Sequence, residues 1–236
     1  MNNIFVVKSV DESPKEGRDK YRDQHIWDLF WQCKKYYTKP FTFHVLTNFT
    51  TVTHPEIKII DISKWKYDGW WNKMLLFHPE VDKEGTNLYF DLDVTFHRPI
   101  TDITKYVFPR MLTCVYCYWK PVDWLDTSKQ EKAVQEDPDM RFPSFYNTSV
   151  MGWEGGTLTD IWDDFYKDDQ YIMNMYRGND DYLGNNWTGA LKALPRKICY
   201  SQYYGADVGS EFFPRDKGNK KRENYYIRLL NGPGKD

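Results

Sequence analysis

Two aspartates, Asp91 and Asp93, lie two positions apart in the otherwise apolar and aromatic segment NLYFDLDVTF (87–96). Because side chains alternate along a β-strand, both carboxylates are predicted to face one side of this strand, opposite an apolar face. Neighbouring carboxylates repel each other unless they are solvated, paired with lysine or arginine, or bound to a cation. Such oxygen ligands suit Mg²⁺ or Mn²⁺, which add water and substrate phosphates. The pair therefore indicates a metal site for nucleotide-phosphate chemistry.

The same spacing recurs at Asp137 and Asp139, within a polar, proline-containing segment (residues 120–142) that is predicted to be a surface excursion. A bare Asp-x-Asp pattern is a weak signal wherever it occurs. The first pair differs because it follows a buried strand in mid-chain, inside the predicted sheet. The metal chemistry is therefore assigned to Asp91 and Asp93.

The composition indicates a globular chain with a high aromatic content. The chain has 236 residues, 41% hydrophobic and 18% aromatic, and a formal net charge of −2, which does not favour nucleic acid as a partner. No segment approaches the ~20 apolar residues of a transmembrane span, and the N-terminal apolar stretch is too short for a signal peptide. A cytoplasmic protein is therefore expected. Trp70, Trp71 and Trp153 could line a cleft, although core packing is the expected role of each.

The order of the predicted elements indicates an α/β fold with a parallel or mixed sheet covered by helices. A buried strand (NIFVVKS) precedes a helix between Tyr21 and Tyr37, which has apolar residues at helical spacing and is ended by Pro40. Two strands, a short helix (GWWNKMLLFHPE) and the strand with the two aspartates follow. The last predicted strands are RKICYSQ and YYIRLL. No repeat or linker divides the chain, so residues 1–236 are predicted to form a single domain.

Six segments together resemble GT-A glycosyltransferases, particularly the family 8 type that includes glycogenin and bacterial lipopolysaccharide sugar transferases. They occur in the order of that family: GWWNKMLLF (69–77), LYFDLDVTF (88–96), FYNTSVMGW (145–153), GNDDYLGNN (178–186), ICYSQYYG (198–205) and IRLLNGPGKD (227–236). Each motif alone has low or moderate specificity, but six motifs in order are a much stronger signal. The resemblance implies a GT-A fold, with a Rossmann-like, mixed and mostly parallel sheet that binds a nucleotide and is flanked by helices.

The resemblance also implies roles for individual residues. A nucleotide-sugar donor, usually a UDP-sugar, would bind with Mn²⁺ or Mg²⁺. The metal would bridge Asp93 to the donor diphosphate, and Asp91 would reach the ribose, the metal or both. Lys73 matches the position of a basic residue that contacts the donor, and Lys8 is also placed among the donor-binding residues. Asn147 matches an asparagine that lies beside the donor sugar.

The sequence departs from the family pattern at two places. The late motif of the family has a metal-binding histidine and then a lysine that holds the diphosphate; here Asn231 and Lys235 correspond to them. An amide oxygen binds Mn²⁺ more weakly than histidine does. Where the family commonly reads Asp-Gln-Asp, residues 179–181 read Asn-Asp-Asp. Asp180 or Asp181 is therefore expected to stabilise the oxocarbenium-like sugar of the transition state.

Two alternative functions follow from the same residues. The segment FDLDVT fits the first motif of haloacid-dehalogenase-type phosphatases, in which Asp91 would be the nucleophile and Asp93 a general acid, with Mg²⁺. That motif usually lies on the first strand, whereas about ninety residues precede it here. The second alternative is a nucleotide- or sugar-binding protein without catalytic activity on the same scaffold. The sequence does not specify whether the acceptor is a glycan, a lipid or a protein.

Overall fold

The computed structural model describes residues 1–10, 21–120, 144–205 and 225–230. Within these ranges the strands are β1 (Asn2–Lys8), β2 (Thr42–Thr47), β3 (Ile57–Asp61), β4 (Thr86–Phe90), β5 (Thr95–Phe96), β6 (Leu112–Tyr116), β7 (Tyr146–Glu154), β8 (Leu191–Ala193), β9 (Cys199–Ser201) and β10 (Ile227–Leu229). The α-helices are α1 (Asp23–Tyr36), α2 (Thr159–Lys167), α3 (Asp169–Met175) and α4 (Asn179–Asn186). Short 3₁₀ helices are formed by Gly69–Phe77, Thr101–Tyr106 and Thr188–Ala190.

Seven strands form the main sheet, in the order β3-β2-β1-β4-β7-β6-β8. Strand β1 pairs in parallel with β2 and β4, and β2 pairs in parallel with β3. Strand β7 runs antiparallel to both β4 and β6, which confirms the predicted mixed, mostly parallel sheet. The chain leaves β1 towards β2 and β3 and then returns to β4 on the other side of β1. Ligands of open α/β sheets bind at the carboxyl ends of the strands where the order reverses in this way.

Apolar clusters cover both faces of the main sheet. Helix α1 buries Leu29 and Phe30 on one face, and helix α2 buries Phe165 on the other. Trp71, from the 3₁₀ helix, stacks on Phe165 with ring centroids 5.7 Å apart, and Trp153 is fully buried. Burial of one such side chain contributes roughly 1.5–3 kcal/mol. None of the described helices is both long enough and apolar enough to cross a membrane.

The strand that was predicted to carry both aspartates ends earlier than expected, at Phe90. The backbone turns at residues 91–94, where the N–H of Val94 donates to the carbonyl oxygen of Asp91 (3.2 Å). Strand β5 then joins a second, three-stranded sheet in the order β5-β10-β9. Strand alternation therefore does not orient Asp93, because Asp93 belongs to the turn. Only one face of this strand was predicted to be apolar. Both faces of β4 are in fact buried, because helices cover both and Tyr89 is buried as well.

A chain of buried polar side chains crosses the opposite, amino end of the sheet. The Asn3 amide donates to the Glu84 carbonyl oxygen (3.2 Å) and to Asn87 Oδ1 (2.8 Å). Both hydrogens of this amide are therefore used, so Asn3 Oδ1 must accept a hydrogen bond from Nε2 of His44 (3.2 Å). This arrangement assigns the proton of the neutral imidazole to Nε2.

The buried imidazole makes the fold sensitive to acid. Burial, with smaller contributions from Lys83 and Lys58, lowers the pKa of His44 from 6.5 to about 4. As the pH falls through 6.5, the unfolded chain takes up a proton that the folded chain does not take up until about pH 4. The contribution of neutral His44 to stability is thus complete above pH 6.5 and is lost between pH 6.5 and 4. We expect this group to lower the free energy of unfolding by about 3 kcal/mol across that window.

Urea unfolding of His44→Gln at pH 7, 5.5 and 4.5 measures this contribution. Glutamine keeps a donor for Asn3 but has no proton to gain, so its stability should fall less with acid than that of the wild-type protein. The control is His97→Gln, which replaces an exposed imidazole. Equal losses of stability in the wild-type protein and His44→Gln would contradict the assignment.

Candidate active site

A cavity of about 620 Å³ opens at the carboxyl edge of the main sheet, where the strand order reverses. Its volume lies within the range of small-molecule sites. Five predicted site residues border it, from four segments of the chain: Lys73, Asp91, Asn147, Asp180 and Asp181. The fold therefore brings together residues that are separated by up to about a hundred positions in the sequence.

Asp91 lies directly after β4, where its backbone N–H donates to the Ser149 carbonyl oxygen (2.9 Å) and extends the pairing with β7. Its Oδ1 accepts hydrogen bonds from the Tyr89 hydroxyl (2.6 Å) and from the Lys73 ammonium group (2.8 Å). Burial favours the neutral acid, but Lys73, followed by Tyr89 and Ser149, holds the pKa of Asp91 below its usual value. The carboxylate is therefore ionised at neutral pH.

Lys73 projects from the 3₁₀ helix Gly69–Phe77 into the same group of charges. Its ammonium group also lies 3.3 Å from Thr148 Oγ1, on β7. Burial opposes the charge, but Asp91 and Asp180 together raise the pKa of Lys73 above its ordinary value. The cavity thus contains a buried cation that pairs with the Asp91 carboxylate and is also stabilised by the charge of Asp180.

Asp93 lies in the turn after Asp91 and accepts a hydrogen bond from the Tyr21 hydroxyl. Burial, followed by the charges of Asp91 and Asp93, raises the pKa of Tyr21, so this hydroxyl stays protonated near both carboxylates. Asp93 itself does not border the cavity, whereas Tyr21, whose hydroxyl is influenced by both carboxylates, does.

The two carboxylates are hard oxygen ligands, which fit part of the coordination shell of Mg²⁺ or Mn²⁺. Within residues 1–10, 21–120, 144–205 and 225–230, no group of three or more histidine, cysteine, aspartate or glutamate side chains is arranged to hold a metal. Asn231 and Lys235, which the resemblance placed at the metal and the diphosphate, lie outside the described residues. Asp91 and Asp93 are thus the two predicted metal ligands that lie among the described residues. The remaining ligands of a bound metal would be other groups, such as water and substrate phosphates.

Asp180 lies in the first turn of α4 and is oriented by β7. Its Oδ2 accepts a hydrogen bond from the Asn147 amide (2.9 Å), and its Oδ1 accepts one from the Thr148 backbone N–H (2.9 Å). Asn179 donates to the Thr148 hydroxyl (2.8 Å) and fixes that residue in turn. These bonds hold the Asp180 carboxylate at the border of the cavity.

Asp181 lies next in sequence but has a different environment. It accepts a hydrogen bond from the Ser144 backbone N–H (2.8 Å) and forms an ion pair with Arg177 (2.9 Å). Burial raises the pKa of Asp181, while the contacts with Ser144 and Arg177 oppose that shift. Asp181 thus connects α4 to the start of β7. Of the two predicted candidates, Asp180 has the contacts that place it with Asn147 and Lys73.

Lys8 is not brought together with the other predicted residues. Its neighbours Val7 and Ser9 border the cavity, whereas its own side chain forms a buried ion pair with Asp23 (2.8 Å). Its ammonium group also donates to the carbonyl oxygen of Phe49 (2.9 Å). Lys8 therefore anchors helix α1 to the end of β1.

Sequence reasoning missed Tyr21 and Arg177 and favoured core packing for Trp70, although it also allowed this residue a place in the wall of a cleft. Trp70 is 45% exposed and borders the cavity, whereas Trp71 and Trp153 are buried as expected. The pair Trp70–Trp71 offered a signal that was not used. Successive residues of a 3₁₀ helix point about 120° apart, so two adjacent tryptophans cannot both face the core.

No family model matches the sequence, and no curated protein matches it. Several solved structures do. The galactosyltransferase LgtC, in complex with donor and acceptor sugar analogues, has a TM-score of 0.57 at 14% identity, and the match covers 99% of this chain and 88% of LgtC. The glycosyltransferase GlyE of Streptococcus pneumoniae TIGR4 has a TM-score of 0.61 at 12% identity, with 99% and 56% covered.

The bifunctional glycosyltransferase WbbM is a third match, with a TM-score of 0.56 at 9% identity over 97% of this chain and 45% of WbbM. The chain therefore spans most of LgtC but only about half of GlyE and WbbM. LgtC is a member of glycosyltransferase family 8, the family whose motifs the sequence resembles. The comparison confirms the predicted architecture: this chain has the GT-A fold of glycosyltransferases.

Proposed function

We propose that the protein is a metal-dependent glycosyltransferase, which transfers a sugar from a nucleotide-sugar donor, a UDP-sugar in the first instance, to an acceptor hydroxyl. The observation that carries the proposal is the arrangement of Asp91, Lys73 and Asp180 around one cavity, at the carboxyl edge of a GT-A sheet. Departure of a diphosphate develops negative charge, and cleavage of the sugar bond develops positive charge. The cavity offers groups of the opposite sign for both.

Asp91 and Asp93 are the residues that would hold Mn²⁺ or Mg²⁺ together with the donor diphosphate. When bound, such an ion neutralises the charge that develops on the departing diphosphate. Lys73 supports the same charge, because its ammonium group is buried, ionised and 2.8 Å from Asp91. A diphosphate that approaches Asp91 thus also approaches a fixed cation.

Asp180 is the residue we assign to the sugar. Its carboxylate is oriented by hydrogen bonds from Asn147 and Thr148, which hold it at the cavity border. Positive charge develops at the anomeric carbon in the oxocarbenium-like transition state, and a nearby carboxylate stabilises it. Asn147 both orients Asp180 and borders the cavity itself, in line with its predicted place beside the donor sugar.

The same geometry bears on the two alternative functions, a phosphatase and a binding protein without catalytic activity. The phosphatase reading gains no support, since the matching structures are glycosyltransferases and Asp91 is held by Lys73 and Tyr89 rather than exposed as a nucleophile. A binding protein without catalytic activity would use the same cavity. It differs from a transferase in one measurable respect, because it would bind UDP but release no UDP from a donor.

Donor binding should stabilise the folded protein. UDP at a hundred times its dissociation constant, with Mn²⁺, should add about 2.7 kcal/mol to the free energy of unfolding. This corresponds to a rise in melting temperature of roughly 5–10 °C for a chain of this size. In Asp93→Asn the manganese-dependent part of the rise should disappear. Asparagine still accepts a hydrogen bond from Tyr21, so the fold should persist.

Differential scanning fluorimetry with UDP, with and without Mn²⁺, measures the effect. Asp102→Asn is the matched control, because it removes an exposed carboxylate outside the cavity lining. A wild-type protein that UDP and Mn²⁺ fail to stabilise, or an Asp93→Asn variant that responds like the wild-type protein, would contradict the metal assignment.

Substitution of Asp180 and of Asp181 distinguishes the roles of these two neighbouring acids of α4. Asp180→Asn should lower the rate of donor turnover by roughly a hundredfold or more, because it removes charge from the transition state. Its binding of UDP with Mn²⁺ should change little, whereas its melting temperature should fall, because an amide has one oxygen and cannot accept from both Asn147 and Thr148. Asp181→Asn should keep turnover and lower stability by about 1–3 kcal/mol, because the buried Asp181 carboxylate no longer pairs with Arg177.

UDP release from a panel of UDP-sugars, together with urea unfolding, distinguishes these outcomes. The opposite pattern, with turnover lost in Asp181→Asn and kept in Asp180→Asn, would reverse the assignment. A wild-type protein that binds UDP and releases none from any donor would favour the binding-protein alternative.

A further inference from the structure

A second cavity, of about 580 Å³, opens at the amino end of the main sheet, opposite the end that carries the candidate active site. This amino-end cavity is bordered by the first residues of β1, β2 and β3 and by the segment that leads into β4: Met1, Asn3, Thr42, His44, Lys58, Lys83, Glu84 and Gly85. We infer that it binds a small molecule that carries a phosphate-type dianion, and that His44 takes up a proton when the dianion binds. The inference does not depend on the proposed transferase function.

One wall of the amino-end cavity is built by the close approach of two chain segments. Gly85 has a positive φ (95°), and a Cβ atom there would overlap the carbonyl oxygen of Met1. Thr86 donates its backbone N–H to the same oxygen (3.0 Å). Gly155 packs on the other side of this segment, where a Cβ atom would overlap the carbonyl oxygen of Lys83. The segment that carries Lys83 is therefore held between the start of β1 and the end of β7.

The lining of the cavity contains one nitrogen that no described residue bonds. His44 is buried, and its Nε2 donates to Asn3 Oδ1 (3.2 Å), which is the single hydrogen bond of this imidazole within the described residues. Its Nδ1 is not among the unpartnered polar atoms that are sealed from solvent, and His44 borders the cavity, so Nδ1 is open to it. Because the neutral ring already carries its proton on Nε2, a second proton goes to Nδ1 and faces the cavity.

Two lysines border the cavity without a carboxylate partner among the described residues. The Lys58 ammonium group donates to the carbonyl oxygen of Pro55 (3.3 Å). The Lys83 ammonium group donates to the carbonyl oxygen of Glu80 (2.9 Å). Both charges act on His44, since burial, followed by Lys83 and Lys58, lowers the pKa of its imidazole. The lining therefore offers positive charge to an anion.

The charges of the lining side chains match a dianion when the imidazole is protonated. Lys58 and Lys83 carry two positive charges and Glu84 carries one negative charge, so the lining side chains have a net charge of +1 with neutral His44 and +2 with protonated His44. Asp82 precedes these residues in the chain but does not border the cavity. In the protein alone the two lysines oppose the proton, whereas a bound dianion attracts it. Binding of the dianion and uptake of the proton should therefore favour each other.

A phosphate group has the chemistry that these donors require. Its oxygens accept charge-assisted hydrogen bonds from ammonium and imidazolium groups. The volume of the cavity lies within the range of small-molecule sites, so there is room for the rest of a molecule that carries the group. A free oxyanion and a phosphate ester share this chemistry, and the experiment has one arm for each.

The probes are sodium sulfate, which stays a dianion between pH 5.5 and pH 7, and glucose 6-phosphate, a phosphate ester, with sodium chloride at equal ionic strength as the reference. NMR titration of the imidazole signals measures the pKa of His44, whose signals are identified by their absence in His44→Gln. Calorimetric titration measures the affinity at both pH values. The further variants are Lys58→Gln and Lys83→Gln, and the control is Lys105→Gln, which replaces an exposed lysine outside this lining.

We expect sulfate to raise the pKa of His44 from about 4 to about 6, because the dianion stabilises the imidazolium. The affinity for sulfate should then be roughly threefold or more higher at pH 5.5 than at pH 7. In His44→Gln this pH dependence should disappear, because glutamine takes up no proton. Lys58→Gln and Lys83→Gln should each bind sulfate about threefold or more weakly, and Lys105→Gln should bind it like the wild-type protein.

An equal pKa of His44 in sulfate and in chloride, or the lack of saturable binding of both probes, would overturn the inference. A loss of affinity in Lys105→Gln as large as in Lys58→Gln would also overturn it, because it would show that the anion interacts with surface lysines in general. Tighter binding of glucose 6-phosphate than of sulfate supports a phosphate ester as the ligand. The reverse order supports a free oxyanion at the same site.

Discussion

The ion pair between Lys73 and Asp91 is the interaction on which the arrangement of the site depends. Both side chains are largely withdrawn from water, with 12% and 15% of their surface exposed. Removing two charges from water costs several kcal/mol per ion, and the attraction between them does not reliably offset that cost. The surrounding groups reduce it, since Tyr89 donates to Asp91 and Thr148 lies near Lys73. A contribution to stability does not by itself explain such a pair. The pair is explained if the site binds charged groups.

The same pair constrains how a cation and a diphosphate would enter under the proposed function. In the protein alone, Lys73 already neutralises the carboxylate that a metal would use. A cation arriving by itself must therefore share Asp91 with an ammonium group at 2.8 Å, and the two positive charges repel each other. A diphosphate brings negative charge that satisfies both cations. Metal and donor are thus expected to favour each other's binding at this site.

The sequence predicted the residue types of the site better than it predicted their orientation. Periodicity and motif order were sufficient for the mixed sheet and for placing Asp91, Lys73 and Asn147 at one edge. They could not separate Asp180 from Asp181, because consecutive helical residues point about 100° apart and only the packing of α4 on β7 decides which one meets Asn147. The side chain of Lys8 could not be oriented from the sequence for a related reason, since Asp23, a distant residue, decides which way it turns.

The break in the strand after Phe90 has a structural consequence of its own. It releases Thr95 and Phe96 to form β5, which pairs antiparallel with β10 so that Arg228 lies opposite Thr95 and Ile227 opposite Phe96. In that register the carboxyl end of β10 points back towards the turn that carries Asp93. Had the strand continued through residue 96, as alternation suggested, Asp93 would belong to the main sheet and β10 would pair with β9 alone. The early end of β4 is therefore what lets β10 pair with residues 95 and 96, directly after the turn that carries Asp93.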